Sequence, residues 1–513
     1  MIYFLLQWYI IVPALLALFY WHGTRNFSHW RKLGVKHISP EFFFGNIRKR
    51  VLFRQSFHEL QKELYFSFPG ERVAGIYEGR RPTLMVRDPD LIKLIMVRDF
   101  DHFVDRPVLR FRQRPSVNNM LITLQGAQWK AVRAILTPTF TSGKIKSMSL
   151  LVMDVGKQMV SFLENVIDKP EGSELEMKDF FGRFTLDVIA SCAFGVQCDS
   201  LQTPDAEFAA YAGKFNDIPL HERIMIFTLL LFCPQLARFF PLSFMNKGVL
   251  SFLESVVRNT KEQRVREGIR RNDFLQLMMD ALESEKGQDK TVLNEDIVIA
   301  QSILFLLAGF ETSSTVLSFT AYELALNPEI QSKLREEILR VLQKYDGKCT
   351  YDAVHEMEYL DMVIHESMRK HPPVARMDRK CTKEYLIPET NITLKPEASV
   401  SIPVMGLHYD SQYYPDPERF DPTRFSAEEK AKRSPYVYLP FGSGPRNCIG
   451  ARFALTSTKM ALVYFLQGFG VEPCLKTEIP YAYSKFSMLL KAEKGIWLNI
   501  KRLTHFSDHS SHN

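Results

Sequence analysis

The 513-residue sequence lacks paired cysteines, internal repeats and low-complexity tracts. Its seven cysteines are odd in number and scattered, and none stands in a C-x-x-C pair, which argues against a disulfide framework and a structural zinc site. This cysteine usage favours a reducing compartment. With 46% hydrophobic and 24% charged residues, the composition is that of a folded globular chain. The net charge of +7 is modest and gives no indication of nucleic-acid binding.

Charged residues are also absent from the first 21 positions, which form an apolar run. About 20 residues of helix are enough to cross a hydrocarbon core of roughly 30 Å. A cleaved signal peptide is the alternative, but no basic region precedes the run and no clear small-x-small cleavage site follows it. We therefore expect a membrane anchor at residues 1–22. By the positive-inside rule, the basic residues after it place the body of the protein in the cytosol; they are Arg25, Arg31, Lys32 and Lys36.

The remaining sequence predicts one large domain that is mainly α-helical with small β-sheets (α+β). A connector at residues 23–46, with Pro40 as its only proline, leads into a single folded domain at 47–503, and 504–513 form a polar tail. Apolar residues recur at helical spacing in segments 148–167, 179–193, 252–271 and 329–343. Extended patterns occur at 72–77, 83–86, 398–403 and 495–501.

The most informative segment is a glycine-rich loop at Phe441–Gly450. Glycines at 442, 444 and 450 allow backbone to lie against a flat ligand where a side chain would clash. Cys448 stands just before a helical pattern, where the helix dipole and free N–H groups favour the thiolate. Such a sulfur suits iron. The alternative is a glycine-rich turn with an incidental buried cysteine.

The loop resembles the haem-binding loop of the cytochrome P450 family, with its Phe, Gly, Arg, Cys and Gly in place, and we call Phe441–Gly450 the haem loop. The resemblance implies a haem b (iron protoporphyrin IX) whose iron is held by Cys448, a ligand that promotes cleavage of the O–O bond. Phe441 and Gly450 would lie against this haem. The resemblance also implies the cytochrome P450 fold, a helical haem domain with small β-sheets, for the catalytic domain at residues 47–503.

Two further motifs of the family occur in the expected order. Glu366-Ser367-Met368-Arg369 matches the E-x-x-R element, whose spacing puts both charges on one helix face. Alone it is weak evidence, because surface Glu/Arg pairs at this spacing are common. Pro417-Glu418-Arg419-Phe420 follows downstream, and in the family that arginine completes a buried Glu-Arg-Arg cluster. The resemblance therefore implies a structural cluster of Glu366, Arg369 and Arg419.

On the opposite face of the haem, the resemblance implies an acid and an alcohol that organise waters for proton delivery during oxygen activation. The candidates are Glu311 and Thr312, in a helical run from about Glu295 to Leu326 that Pro328 stops. The apolar part of this run contains Gln301 and is too short to span a bilayer, so we expect a buried central helix. A threonine that only hydrogen-bonds back to its own helix is the alternative.

The two haem propionates need cations, and the resemblance nominates Trp129 with the guanidinium groups of Arg106, Arg133, Arg379 and Arg446. Each of these alone could be a surface residue. By family position, the substrate-facing segments are largely apolar and fit a lipophilic substrate, although core packing explains the same composition. They include Val117 to Leu121, Phe305, Ala308, Val374, Ala375, Met488 and Leu489.

Runs at 136–144, 187–195 and 271–274 resemble the microsomal, drug- and toxin-oxidising branch of the family, especially its insect members. The implied function is a monooxygenase that inserts one atom of O2 into a lipophilic small molecule, such as an insecticide, a plant toxin, a hormone or a lipid. The alternative is a haem-thiolate protein without oxygen activation, either an isomerase or a haem sensor. Glu311 and Thr312 favour the monooxygenase, because an isomerase needs no proton relay.

The same resemblance implies electrons from NADPH through NADPH-cytochrome P450 reductase, with cytochrome b5 as a second partner, at the endoplasmic reticulum (microsomal) membrane. Basic residues suited to docking an acidic reductase are Lys130, Lys144 and Lys146. The apolar stretch Ile224–Phe232, with Phe239 and Phe240 beyond Pro234, either dips into the bilayer or is an ordinary core helix.

Overall fold

The computed structural model describes residues 2–107, 114–169, 172–196, 198–203, 207–214, 217–232, 235–243, 245–271, 273–284 and 293–503. The predicted polar tail at 504–513 lies outside the described residues, as do Cys233, Pro234 and Asn272.

Helices account for most of the described chain. They are α1 (Ile2–Thr24), α2 (His29–Lys32), α3 (Arg48–Val51), α4 (Phe57–Phe66), α5 (Pro89–Lys93), α6 (Pro115–Asn118), α7 (Gly126–Leu136), α8 (Ser142–Val166), α9 (Met177–Ile189), α10 (Glu207–Gly213), α11 (Leu220–Phe232), α12 (Lys247–Glu267), α13 (Phe274–Ser284), α14 (Glu295–Leu326), α15 (Pro328–Lys344), α16 (Tyr351–Glu356), α17 (Glu358–Lys370), α18 (Val404–His408), α19 (Ala427–Ala431) and α20 (Ala451–Gly468). Short 3-10 turns lie at Phe100–His102, Thr137–Phe140, Ala237–Phe239, Pro422–Phe425 and Pro435–Val437, and π turns at Leu94–Arg98 and Ala190–Phe194.

The strands form small sheets beside the helices. They are β1 (Val73–Glu78), β2 (Arg81–Val86), β3 (Glu174–Glu176), β4 (Met377–Lys380), β5 (Tyr385–Leu386), β6 (Thr393–Leu394), β7 (Ser399–Ile402), β8 (Phe469–Pro473) and β9 (Trp497–Arg502). One sheet has the order β1-β2-β7-β4, with only the β2–β7 pair parallel. The others have the orders β3-β9-β8 and β5-β6, and both are antiparallel. The mainly α architecture with small sheets is confirmed.

The predicted helices and strands coincide with elements of the structure, and their ends follow from local capping. The predicted segment 252–271 is α12, which begins five positions earlier than the apolar pattern because Asn246 caps it. The Asn246 side chain accepts hydrogen bonds from the N–H groups of Gly248 and Val249. The helix ends at Gly268, whose φ of 65° suits glycine.

Helix α14 is the central element of the fold. It is apolar on all sides, which is the pattern of a helix buried in the core of a large protein. By length and composition it could also cross a membrane, but 61% of its 18-residue apolar stretch is buried inside the protein. There the helix packs along α9. The predicted boundaries, Glu295 and Leu326, are those of the helix. Asn294 caps its start by accepting from the Ile297 N–H at 2.9 Å.

The apolar N-terminal run forms α1, which presents exposed large side chains from Tyr9 to Trp21. Its last turn is docked on the folded domain through Arg80. One Arg80 nitrogen donates to the His22 carbonyl at 3.1 Å and another to the Phe232 carbonyl at 3.2 Å. Arg80 therefore joins the end of α1 to the end of α11.

Candidate functional site

A cavity of about 700 Å³ lies between α14 and the haem loop. Its wall includes Phe305, Ala308 and Thr312 from α14, and Phe441 and Cys448 from the loop. The volume is in the range of small-molecule sites, about 300–1,000 Å³. The structure therefore brings the predicted cysteine and the predicted threonine, which are far apart in the chain, to one cavity.

Backbone hydrogen bonding and glycine fix the conformation of the haem loop. The Cys448 N–H donates to the Phe441 carbonyl at 2.8 Å, which folds the loop back on itself. Gly442 and Gly444 have φ of 72° and 71°, in the left-handed region that favours glycine. A Cβ at Gly444 would stand 1.8 Å from the Met96 carbonyl oxygen, so only glycine fits there.

Gly450 differs from these two glycines, because the surrounding protein does not require it. Its φ is −89°, and a Cβ there would meet only Phe140, at an ordinary contact distance of 3.8 Å. Gly450 lies on the cavity wall. A missing side chain at such a position leaves room for a flat ligand to lie against the backbone.

The Cys448 thiol is open to the cavity. Burial raises the pKa of this thiol, whereas the Gly450 N–H and the charges of Arg133 and Arg106 lower it by smaller amounts. The N–H group at the helix start thus lowers the pKa of the thiol, the direction expected from the sequence, but desolvation is the larger effect. Coordination to a metal cation is the interaction that deprotonates such a thiol outright.

Four arginines converge beside the haem loop: Arg106, Arg133, Arg379 and Arg446. We call them the arginine cluster. Arg379 and Arg446 are buried, and burial followed by the charge of Arg106 lowers the pKa of each to about 9. Burial also lowers the pKa of Arg106 and of Arg133. So many cations at close range repel one another, and the cluster is electrostatically suited to an anionic ligand.

Several guanidinium atoms of this cluster are buried without a hydrogen-bond partner among the described residues. These atoms are Nε and Nη2 of Arg379, and Nε and Nη1 of Arg446. Buried donors of this kind are costly unless a ligand satisfies them. The other Arg446 nitrogen donates to the Leu124 carbonyl, and its guanidinium carbon lies 4.5 Å from the centre of the Trp129 ring. Arg133 is held at the loop by Asn447, whose side-chain oxygen accepts at 2.8 Å.

Thr312 faces the cavity from α14, whereas Cys448 faces it from the haem loop. Its hydroxyl donates back to the Ala308 carbonyl at 2.6 Å. Gly309 stands between them, and a Cβ there would lie 2.5 Å from the Ile189 side chain. Glycine therefore lets α14 approach α9 closely, and the bond between Thr312 and Ala308 locally occupies a carbonyl of the helix.

Glu311 is turned toward α9, where it meets Lys178. The Lys178 ammonium lies 3.5 Å from the Glu311 carboxylate and donates to the Glu311 carbonyl and to the Ser314 hydroxyl, both at 2.7 Å. Burial lowers the pKa of Lys178. Lys178 could not be predicted as a partner of Glu311, because no local pattern links the start of α9 to the middle of α14.

Glu366 and Arg369 form a fully buried pair on α17. Arg369 donates to both carboxylate oxygens of Glu366, at 2.7 and 2.9 Å, and its third nitrogen donates to the His408 carbonyl at 2.9 Å. Burial raises the pKa of Glu366, opposed chiefly by Arg369. Two parallel bonds of this type are strong and directional.

The prediction that Arg419 is the third member of this cluster is wrong. The Arg419 side chain is exposed, and only its carbonyl takes part, accepting from Arg369 at 3.4 Å. The arginine that approaches Glu366 is Arg424, which is buried and lies 3.5 Å away. A second Pro-x-Arg-Phe pattern, at Pro422–Phe425, was the signal that could have found it.

The predicted substrate-facing residues divide into two groups. Val117, Leu121, Phe305, Ala308 and Val374 line the cavity. Residues 118–120 of the first predicted segment, and Ala375, Met488 and Leu489, are not on its wall, and Met488 is exposed. Met488 follows two residues whose carbonyls are held by Arg50, which donates to Lys485 and Ser487. These bonds keep the loop that contains Met488 at the surface.

Comparison with known proteins agrees with this geometry. A profile of the family described as Cytochrome P450 matches residues 37–500. The chain is 39% identical to Cytochrome P450 9e2 of Blattella germanica over 528 residues, which cover 97% of this chain and 98% of that protein. It is 39% identical to Probable cytochrome P450 6a14 of Drosophila melanogaster over 508 residues (96% and 99%), and 37% identical to Cytochrome P450 6k1 of Blattella germanica over 513 (96% and 97%). The chain belongs to the cytochrome P450 family of haem-dependent monooxygenases.

Proposed function

We propose that Cys448 would hold the iron of a haem b in the cavity through its thiolate, and that the arginine cluster and Trp129 would hold the propionates of this haem. This proposal rests on the buried guanidinium atoms of Arg379 and Arg446 beside the haem loop, which have no hydrogen-bond partner among the described residues. Two carboxylates would supply the missing acceptors and neutralise the repulsion within the cluster. Gly450 leaves space for the face of the ring, and Phe441 lines the same wall. When bound, the haem supplies the redox centre at which O2 is activated.

In this proposal, Thr312 and Glu311 deliver protons to the cavity. The Thr312 hydroxyl can exchange its bond to the Ala308 carbonyl for a bond to water, and so hold that water in the cavity. Glu311 pairs with Lys178 and does not line the cavity, so it would have to turn away from Lys178 to pass a proton to this water. Glu366, Arg369 and Arg424 keep α17 and the following loops in place behind the haem loop.

We propose a lipophilic small molecule as substrate, because the cavity wall is mostly apolar. The candidate classes are xenobiotics, such as insecticides and plant toxins, and hormones or lipids. Electrons come from NADPH through NADPH-cytochrome P450 reductase, with cytochrome b5 as a further donor. Of the basic residues considered for docking, Lys130 already pairs with Asp101 at 2.8 Å and Lys146 with Asp352 at 2.6 Å. Lys144 is exposed.

The proposed location is the endoplasmic reticulum membrane, with residues 1–22, which include most of α1, as the anchor, 23–46 as the connector and the catalytic domain at 47–503 in the cytosol. Exposed apolar side chains on the body support a membrane-facing surface beside α1; they include Leu220, Ile224, Phe239 and Phe240. Ile226, on the same helix as Leu220, is buried, so only one face of α11 is available for lipid.

The ligand assignment is tested with the purified protein reduced under carbon monoxide. We expect a strongly red-shifted Soret band for the wild type, because a thiolate ligand shifts the Soret band of the complex between ferrous haem and carbon monoxide to longer wavelength. Cys448→Ala should abolish this band, whereas Cys198→Ala, which removes a cysteine remote from the haem loop in sequence, should keep it. The assignment would be refuted if the wild type showed an unshifted, histidine-type spectrum, or if Cys448→Ala kept the red-shifted band.

A further inference from the structure

Gln301 is a fully buried amide in the apolar first half of α14. Its Oε1 accepts from the Leu121 N–H at 2.9 Å, and its Nε2 donates to the Asn119 carbonyl. A buried amide without partners is costly, so this side chain belongs where both of its polar atoms are used. Gln301 therefore fixes two backbone groups of another segment against α14.

The segment that Gln301 holds is residues 114–124, which we call the wall segment. Val117, Leu121 and Ile122 of this segment line the cavity. Its turn is braced internally, because the Thr123 hydroxyl donates to the Val117 carbonyl at 2.8 Å. Since the turn is braced, a shift of Leu121 carries its neighbours with it. The position of the wall segment thus sets the shape of the cavity.

The two ends of the wall segment are held unequally. At the outer end, Arg114 lies 3.2 Å from Glu254 of α12, and the Ser116 hydroxyl donates to the same carboxylate. The side chains of Arg114 and Glu254 are 42% and 24% exposed, so their ion pair is weak and screened by salt. At the other end, the Leu124 carbonyl accepts from the buried Arg446. Between the two ends, the amide of Gln301 holds residues 119 and 121 and is fully shielded from water. Gln301 is therefore the buried contact that ties the middle of the wall segment to α14.

We propose that Gln301 is a positioning residue for substrate selectivity. It does not line the cavity, but through Leu121 it fixes how far the wall segment stands from α14 and hence which molecular shapes fit beside Thr312. The inference rests on the proposed function, because it takes the cavity as the place where substrate is oxidised. Loss of the amide would loosen the wall without removing any group that touches the substrate.

The chain offers a matched control in Gln331 of α15. This buried amide also clamps the backbone of a distant segment: it donates to the Val471 carbonyl and accepts from the Val471 N–H, both at 2.9 Å. Val471 belongs to β8, and neither residue lines the cavity. Gln331→Met therefore removes the same kind of interaction as Gln301→Met, but away from the substrate site.

The test uses the purified holoenzyme and three probes that bind haem iron: imidazole, 1-phenylimidazole and 4-phenylimidazole. Each Kd is measured from the shift of the Soret band. We expect Gln301→Met to change the ratio of the two phenylimidazole Kd values by about tenfold, or 1.4 kcal/mol. The Kd of imidazole, which is too small to reach the wall segment, should stay within about twofold. Gln331→Met should leave the ratio unchanged.

An unchanged ratio in Gln301→Met, or an equal change in Gln331→Met, would overturn the inference. If Gln301→Met fails to fold, hydrogen exchange of the wild type decides instead: the Leu121 amide should be strongly protected, and rapid exchange there would refute the clamp. Failure of the wild type to shift its Soret band with imidazole would count against the proposed function itself, which separates the two outcomes.

Discussion

Arg419 and Arg424 carry the same side chain five positions apart, but only Arg424 reaches the buried Glu366. The difference lies in the turn that follows. Asp421 caps the 3-10 turn at Pro422–Phe425 by accepting from the Thr423 N–H, and this turn directs Arg424 inward. The Asp421 N–H also donates to Glu366 at 2.9 Å, which fixes the turn against α17.

This arrangement predicts different costs for the two arginines. Arg424→Ala should lower the free energy of unfolding by about 1.5–3 kcal/mol, because Glu366 would lose a charged neighbour in a buried site. Arg419→Ala should change it by less than about 0.5 kcal/mol, as for other exposed side chains. Urea unfolding of the two variants, followed by tryptophan fluorescence, measures the difference. Equal losses would show that Arg424 is not the third member of the cluster.

Single residues were predictable from the sequence where the chemistry is local. Cys448 stands in a loop whose glycines and helix start lie within ten positions, so its placement at the cavity could be inferred. Arg424 was missed because two identical patterns compete and only the capped turn decides between them. The role of Lys178 could not be predicted from the sequence, since its contact with Glu311 depends on how α9 and α14 pack.

At the scale of elements, α14 combines a hydrophobic surface with hydroxyl groups that bond back to its own carbonyls. Thr312, Ser314 and Ser302 each donate to the carbonyl four positions earlier, at 2.6, 2.7 and 2.8 Å. Only the first of these three lines the cavity. The limits of this helix could be predicted from its caps and from Pro328, but which hydroxyl meets the cavity depends on the rotation of the packed helix.

Thr312→Ala should keep the red-shifted carbon monoxide spectrum but divert electrons from product to hydrogen peroxide. The reason is that the variant loses the hydroxyl proposed to hold water for proton delivery. We expect a severalfold rise in peroxide formed per NADPH consumed, measured with the reductase present. Ser302→Ala, which removes a similar bond from the same helix away from the cavity, is the control. Unchanged coupling in Thr312→Ala would remove this residue from the relay.

At the scale of the whole molecule, three histidines are held neutral by burial. Burial lowers the pKa of His58 and of His365 to about 4, and that of His408 to about 3. In the unfolded chain these groups titrate near 6.5. Below that pH the unfolded state binds more protons than the folded state, so stability falls as the pH drops from 6.5 toward 4.

Each such histidine contributes a slope of up to about 1.4 kcal/mol per pH unit in this window. His58→Gln keeps a donor for the Pro372 carbonyl, which His58 approaches at 3.2 Å, but it cannot titrate. The variant should therefore take up about one proton fewer on acid unfolding. Unfolding free energies measured at several pH values between 4 and 6.5 give this slope directly. The same slope as in the wild type would contradict the account.

The mainly α architecture could be predicted because most helices and strands here have clear periodicity. Contacts that join distant parts of the chain could not be predicted, since no local pattern encodes them. The clamp of Gln301 on residues 119 and 121 is one example. The bridge from Arg80 to the ends of α1 and α11 is another.

The Arg80 bridge connects the proposed membrane anchor to the folded domain. A spanning helix adjusts its tilt to the thickness of the lipid around it. If α1 spans the membrane as proposed, Arg80 would pass that tilt to α11, because its guanidinium donates to the His22 carbonyl in the last turn of α1 and to the Phe232 carbonyl at the end of α11. The chain after α11 continues to Ser243 and Met245 on the cavity wall. A change in lipid thickness would then change the tilt of α1 and, through Arg80 and α11, the shape of the cavity, so that α1 would influence the site as well as anchor the protein.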